Sequence, residues 1–145
     1  MILLDTHVVV WLAFDPRWVS HKAKAAIDKA RKNGEGLAIC DITLQELTAL
    51  VIRGRIRLDI SLETFLREVE ARFVILPITG RAYVLALGLP ATYPKDPAER
   101  IIAATALTEG PPLITADGEI QRSKAPPTMW REKRLLADPR LEERR

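Results

Sequence analysis

Ile2-Leu3-Leu4 opens the chain as an apolar run closed by Asp5, and the same short pattern returns at Leu37-Ala38-Ile39-Cys40, Phe73-Val74-Ile75-Leu76 and Pro112-Leu113-Ile114-Thr115. Short runs without polar alternation suit strands covered on both faces. Between them the apolar positions recur at helical spacing. The pattern predicts helices from Thr6 to Ala13, ending before Asp15-Pro16, and from about Ser20 to Lys32, closed by Asn33-Gly34. In the second, Ala23, Ala26, Ile27 and Ala30 share a face. A third opens at Thr43 and runs to Arg53-Gly54; a fourth spans Ser61 to Arg72 with Leu62, Phe65, Leu66 and Val69 in register. A fifth spans Thr79 to Gly88, with Ala82, Leu85, Ala86 and Leu89 inward. The sixth starts at Pro97, capped by Asp96, and from Ile101 to Leu107 only Thr105 is polar. That helix is expected to be buried on most sides, with Ala103, Ala104 and Ala106 admitting a close neighbour. A last short strand is expected near Thr128-Met129-Trp130. Strands alternating with helices predict an α/β fold with a mostly parallel sheet covered on both faces. In such sheets, sites form outside the carboxyl ends of the strands.

The length of 145 residues fits one domain, expected over 1–131, followed by a charge-rich tail at 132–145. With 48% hydrophobic and 28% charged residues the composition is that of a soluble globular protein. No apolar run reaches the length of a membrane span, and the N-terminus lacks a signal-peptide pattern. The lone Cys40, inside an apolar run, excludes an internal disulfide and suits a reducing cytoplasm as a small core residue. One Cys and two His make a zinc site a poor fit, so any metal is expected to be a hard cation held by carboxylates. His7 and His21 read as surface or capping residues, and Trp11, Trp18 and Trp130 as packing residues. The net charge of +3 is modest but unevenly placed: Arg17 to Lys32 holds six basic residues against Asp28, and Arg53, Arg55 and Arg57 cluster. Such a face is either solvated helix surface or a polyanion footprint.

Acidic residues gather where the sheet rule points. Asp5 ends the first strand, Glu46 follows the second, Asp96 and Glu99 open the sixth helix, and Asp117 follows the fourth strand. Each has an innocent reading: Asp5 as an N-cap, Thr43-x-x-Glu46 and Asp96-x-x-Glu99 as capping boxes, Asp117-Gly118 as a turn. Together they fall at one carboxyl edge or at helix starts facing it. Carboxylates that close repel strongly unless a cation shares them. Mg²⁺ or Mn²⁺ is the natural partner, because both accept oxygen ligands. Such ions activate water and stabilise charge on a phosphoryl group, and with basic flanks this fits phosphodiester hydrolysis. Asp5-Thr6-His7 lacks the Asp-x-Asp spacing of an aspartyl-phosphate phosphatase.

Leu3-Leu4-Asp5-Thr6-His7, Thr43-Leu44-Gln45-Glu46-Leu47, Asp96-Pro97-Ala98-Glu99-Arg100 with Ile101 to Ala106, and Leu113-Ile114-Thr115-Ala116-Asp117 resemble the successive motifs of PIN-domain ribonucleases, above all the VapC-like toxins of toxin–antitoxin pairs. The resemblance covers residues 1 to about 130. It implies a PIN-like three-layer α/β/α sandwich with about four to five strands, Mg²⁺- or Mn²⁺-dependent endonucleolytic cleavage of RNA, a cognate antitoxin and a homodimer. Asp5, Glu46 and Asp117 match acidic positions of the family, and Thr6, Thr43 and Thr115 match hydroxyls that support those carboxylates or a metal water. The family usually has Asp where this chain has Glu99, so Asp96 is expected to share or carry the ligation.

On this reading Asp5, Asp96 or Glu99, and Asp117 hold one or two divalent ions, and Glu46 ligates or orients the attacking water. Arg53, Arg55, Arg57, Lys95 and Arg100 are candidates for flanking RNA phosphates. Two further readings remain open from the sequence: a non-catalytic module of the same fold that binds RNA or protein, and a metal-dependent DNA nuclease.

Overall fold

A computed structural model describes residues 1–91, 93 and 95–115. The expected strand near Thr128-Met129-Trp130, Asp117 and the tail at 132–145 lie outside the described residues. Four strands, β1 (Ile2–Leu4), β2 (Leu37–Cys40), β3 (Val74–Leu76) and β4 (Leu113–Ile114), form a sheet of order β3-β2-β1-β4. Every pairing is parallel, with Leu4 opposite Ile39 on one side and Ile114 on the other. The helices are α1 (Thr6–Phe14), α2 (His21–Lys32), α3 (Asp41–Ile52), α4 (Leu62–Arg72), α5 (Gly80–Gly88) and α6 (Pro97–Glu109).

Alternation along the strands divides the core in two. Ile2, Leu4, Leu37, Ile39 and Ile114 pack with Val8, Trp11, Ile27, Leu47, Phe65 and Val69 from α1 to α4. Leu3, Ala38, Cys40 and Leu113 pack with Ile102, Ala103 and Ala106 of α6 and with Tyr93. The α/β/α layering expected from the sequence is thus present, with α5 packed outside α6. Ala104 meets Ala82 and Ala86 there, so the small residues do allow two helices to close on each other.

Ser20, Ser61 and Thr79 act as N-caps, accepting from the backbone N–H of Ala23, Thr64 and Ala82. In α6 the run Ile102 to Ala106 is buried throughout, and the Thr105 hydroxyl donates back to the Ile101 carbonyl at 2.8 Å. That bond satisfies the one polar group in the run. Gly110 ends the helix with φ of 95°, a conformation suited to glycine, and Pro111-Pro112 leads into β4.

One expectation needs correction. The third helix begins at Asp41, because β2 runs straight into it from an extended Cys40. Thr43 is therefore inside the helix and Glu46 lies in its second turn, so the two do not form a capping box. After α1 the chain adds a 3-10 turn at Pro16–Trp18, fastened by the Trp18 indole N–H donating to Asp15 Oδ2 at 2.8 Å. Trp11 and Trp18 stack in the core with centroids 6.3 Å apart. Burial raises the Cys40 thiol pKa, which keeps it an inert core residue. Among the described residues no helix is long and apolar enough to cross a membrane.

Candidate active site

The strand order changes direction beside β1: β2 and β3 lie on one side of it and β4 on the other. In parallel sheets that point, beyond the carboxyl ends of β1 and β4, is where sites form. The Asp5 N–H donates to the Ile114 carbonyl at 3.0 Å, extending the ladder by one residue. This sets Asp5 beside Thr115, whose hydroxyl donates to Asp5 Oδ2 at 2.7 Å. Both side chains are buried. Asp5 stands at the N-cap position of α1, yet its side chain makes no capping bond. A buried carboxylate held by a distant hydroxyl rather than by its own helix is placed for something other than capping.

The start of α1 brings Thr6 against α3. Its hydroxyl lies 2.9 Å from the Thr43 hydroxyl and donates to Glu46 Oε1 at 2.6 Å. Thr43 and Glu46 are nearly one helical turn apart, so one face of α3 presents both to Thr6. Asp96 faces them across a cleft of about 310 Å³ between α3 and α6. Its lining includes Thr6, His7, Gln45, Glu46, Arg53, Asp96 and Ile101. Asp96 also caps α6, with Oδ1 accepting from the Ala98 N–H at 2.9 Å. Burial pushes the Glu46 pKa up to about 7; the Thr6 hydrogen bond opposes this, and the charges of Asp5 and Asp96 add to it. The charges of Asp5 and Asp96, from two other elements, thus both reach Glu46.

Glu99 is half-buried in the first turn of α6 and is not part of the cleft lining. Among the basic candidates, Arg53 lines the cleft. Lys95 and Arg100 line a separate apolar hollow beside α5. The Arg100 guanidinium donates to the carbonyls of Ala86, Leu89 and Pro90. Arg55 and Arg57 are exposed on the loop after α3. His7 lines the cleft, half-buried, whereas His21 is exposed at the start of α2. Gln45 and His7 were missed as cleft residues. Gln45 precedes Glu46 directly and His7 follows Asp5 by two residues, so their sequence positions beside the acidic residues were the available signal.

The family model of the PIN domain matches residues 2–125. The chain belongs to the PIN-domain family. It is 34% identical over 131 residues to "Ribonuclease VapC22" of Mycobacterium tuberculosis, across 89% of this chain and 98% of that one. The fold is shared with FitAcB from Neisseria gonorrhoeae at 21% identity and a TM-score of 0.64, covering 90% of this chain and 97% of that one. It is shared too with VapBC2 from Rickettsia felis, solved with a DNA fragment from its promoter, at 19% identity and a TM-score of 0.64 over 88% and 97% of the two chains. The protein is a PIN-domain nuclease of the VapC type, a family that generally depends on a divalent metal ion.

The residues present suit such an ion in kind: oxygen donors, with the Glu46 pKa held up first by burial and further by the charges of Asp5 and Asp96, which a cation would offset. Among the described residues no group of three or more His, Cys, Asp or Glu side chains already stands close enough to hold one.

Proposed function

We propose that this chain is a divalent-metal-dependent endoribonuclease, the toxin of a toxin–antitoxin pair, acting in the cytoplasm. The observation that carries this is Glu46, held by the Thr6 hydroxyl at 2.6 Å in a cleft shared with Asp96, with its pKa raised to about 7 by burial and by the charges of Asp5 and Asp96. Asp5, Asp96 and Asp117 would hold Mg²⁺ or Mn²⁺, with Asp96 favoured over Glu99 because it lines the cleft. The ion would stabilise negative charge on the phosphoryl group during hydrolysis. Glu46, fixed by Thr6, would orient the attacking water and accept its proton. Thr115 would keep the Asp5 carboxylate aimed, and Arg53 would hold a flanking phosphate.

The antitoxin partner is supported by a neighbour of the same fold described as a toxin–antitoxin complex from Klebsiella pneumoniae, with 21% identity and a TM-score of 0.63. A homodimer is supported by α5, where Tyr83, Val84 and Leu87 lie exposed, the last at 87%. The decisive test is cleavage of a structured RNA pool by the purified chain, freed of bound peptide, with Mg²⁺, Mn²⁺ or EDTA. Cutting should need the metal, spare matched DNA and vanish in Asp5→Asn. Metal-independent cutting, or full activity in Asp5→Asn, would refute the assignment, and equal cutting of DNA would make the enzyme a general nuclease.

A further inference from the structure

Among the described residues, α5 ends without a capping N–H from the chain that follows it. Leu89 turns extended, with φ of −64° and ψ of 146°, and Pro90 has no N–H to give. The carbonyls there are met from elsewhere. Arg100 Nη1 donates to the Ala86 carbonyl and to the Leu89 carbonyl, each at 3.1 Å, and Nη2 donates to the Pro90 carbonyl at 3.2 Å. Pro90 also accepts from the Tyr93 N–H at 3.0 Å, and the Tyr93 side chain is buried below the loop. One planar guanidinium therefore gathers the end of α5 and the turn that leads to Asp96. Its positive charge also complements the carbonyl end of α5.

The same residue belongs to the acidic turn itself. The Arg100 N–H donates to the Asp96 carbonyl at 3.1 Å, one helical turn on, and Glu99 is its immediate neighbour. We infer that Arg100 is a positioning residue for the acidic edge: its three carbonyl bonds fix the α5–α6 loop so that Asp96 stands opposite Glu46 across the cleft. Lysine cannot replace it, since an ammonium on a flexible stem does not span three carbonyls with a rigid fork. The catalytic part rests on the proposed nuclease activity, while the geometric part does not.

Arg100→Lys and Arg100→Ala are compared with wild type for Mn²⁺ affinity of the metal-stripped protein, for kcat and KM on RNA across salt, and for cooperative unfolding. The expected result is cooperative folding, weaker Mn²⁺ binding, and a kcat lowered on the order of ten- to a hundredfold with KM little changed in both variants. Added guanidinium ion at non-denaturing concentration should restore part of the kcat of Arg100→Ala. A raised KM with unchanged kcat, and a salt slope reduced by about 1, would make Arg100 a phosphate contact and overturn the inference. So would unaltered Mn²⁺ affinity and kcat, or loss of cooperative folding in both variants. If wild type cuts no RNA, the function proposal falls on its own, and the Mn²⁺ affinities alone decide whether Arg100 positions the site.

Discussion

Replacing Glu46 with glutamine should flatten the pH dependence of stability in the metal-free protein. Burial, with the charges of Asp5 and Asp96, moves the Glu46 pKa from 4.5 to about 7 in the folded chain. Below about pH 4.5 the group is protonated in both folded and unfolded states and costs nothing. Between about 4.5 and 7 the folded state keeps a proton that the unfolded state has lost, so stability falls as pH rises, and above 7 the full penalty stands. The shift corresponds to roughly 3 kcal/mol at 1.36 kcal/mol per pKa unit, and partial exposure of Glu46 trims it to the order of 2 kcal/mol. The substituted amide carries no charge at any pH, and its oxygen can still accept from Thr6. Urea denaturation in EDTA from about pH 5 to pH 8 reads the effect as the difference between Glu46→Gln and wild type, in which other titrating groups largely cancel. The variant should gain on the order of 2 kcal/mol relative to wild type across that range. Parallel curves would show that the folded chain does not raise the Glu46 pKa.

Thr115→Val removes the buried hydroxyl that donates to Asp5 at 2.7 Å; a loss of about 1.5–3 kcal/mol is expected by urea denaturation, because the acceptor is a carboxylate. Arg53→Ala should raise KM for RNA and lower the salt slope by about 1 while leaving kcat nearly unchanged, the opposite split from Arg100→Ala. Ala104→Leu forces a larger side chain between α6 and the Ala82 and Ala86 surface of α5, and should cost about 1–3 kcal/mol in the same denaturation assay.

What was legible in the sequence was what local pattern controls. The four apolar runs became the four described strands: β1, β2 and β4 are buried along their length, which leaves no room for alternation, whereas β3 at the sheet edge leaves Val74 exposed. Ser20, Ser61 and Thr79 marked their helix starts because a cap is a local hydrogen bond. The start of α3 was misjudged for the same reason: Thr43-x-x-Glu46 has the spacing of a box, but β2 enters the helix at Asp41 with no linker, and Thr43 is drawn inward by Thr6 from 37 residues away. Arg100 shows the limit most clearly. Beside Glu99 it reads as a cation near an acidic site, open to a phosphate. The carbonyls it serves sit 10 to 14 residues earlier, on the end of another helix. No spacing rule links a guanidinium to an unfinished helix end.

Asp96 joins two readings that the sequence sets against each other, cap and ligand. Capping uses Oδ1, which accepts from Ala98 at 2.9 Å, and a carboxylate has a second oxygen and a full charge left for the cleft. The two roles are separable by chemistry. Asparagine is as good an N-cap as aspartate, so Asp96→Asn should leave stability within about 0.5 kcal/mol of wild type. Alanine loses the cap and should cost about 1 kcal/mol. Both remove the charge that faces Glu46, so both should lose metal-dependent cleavage alike. If Asp96→Asn cleaves as wild type does while Asp96→Ala does not, Asp96 matters only as the cap of α6, and the carboxylate on that helix must instead be Glu99.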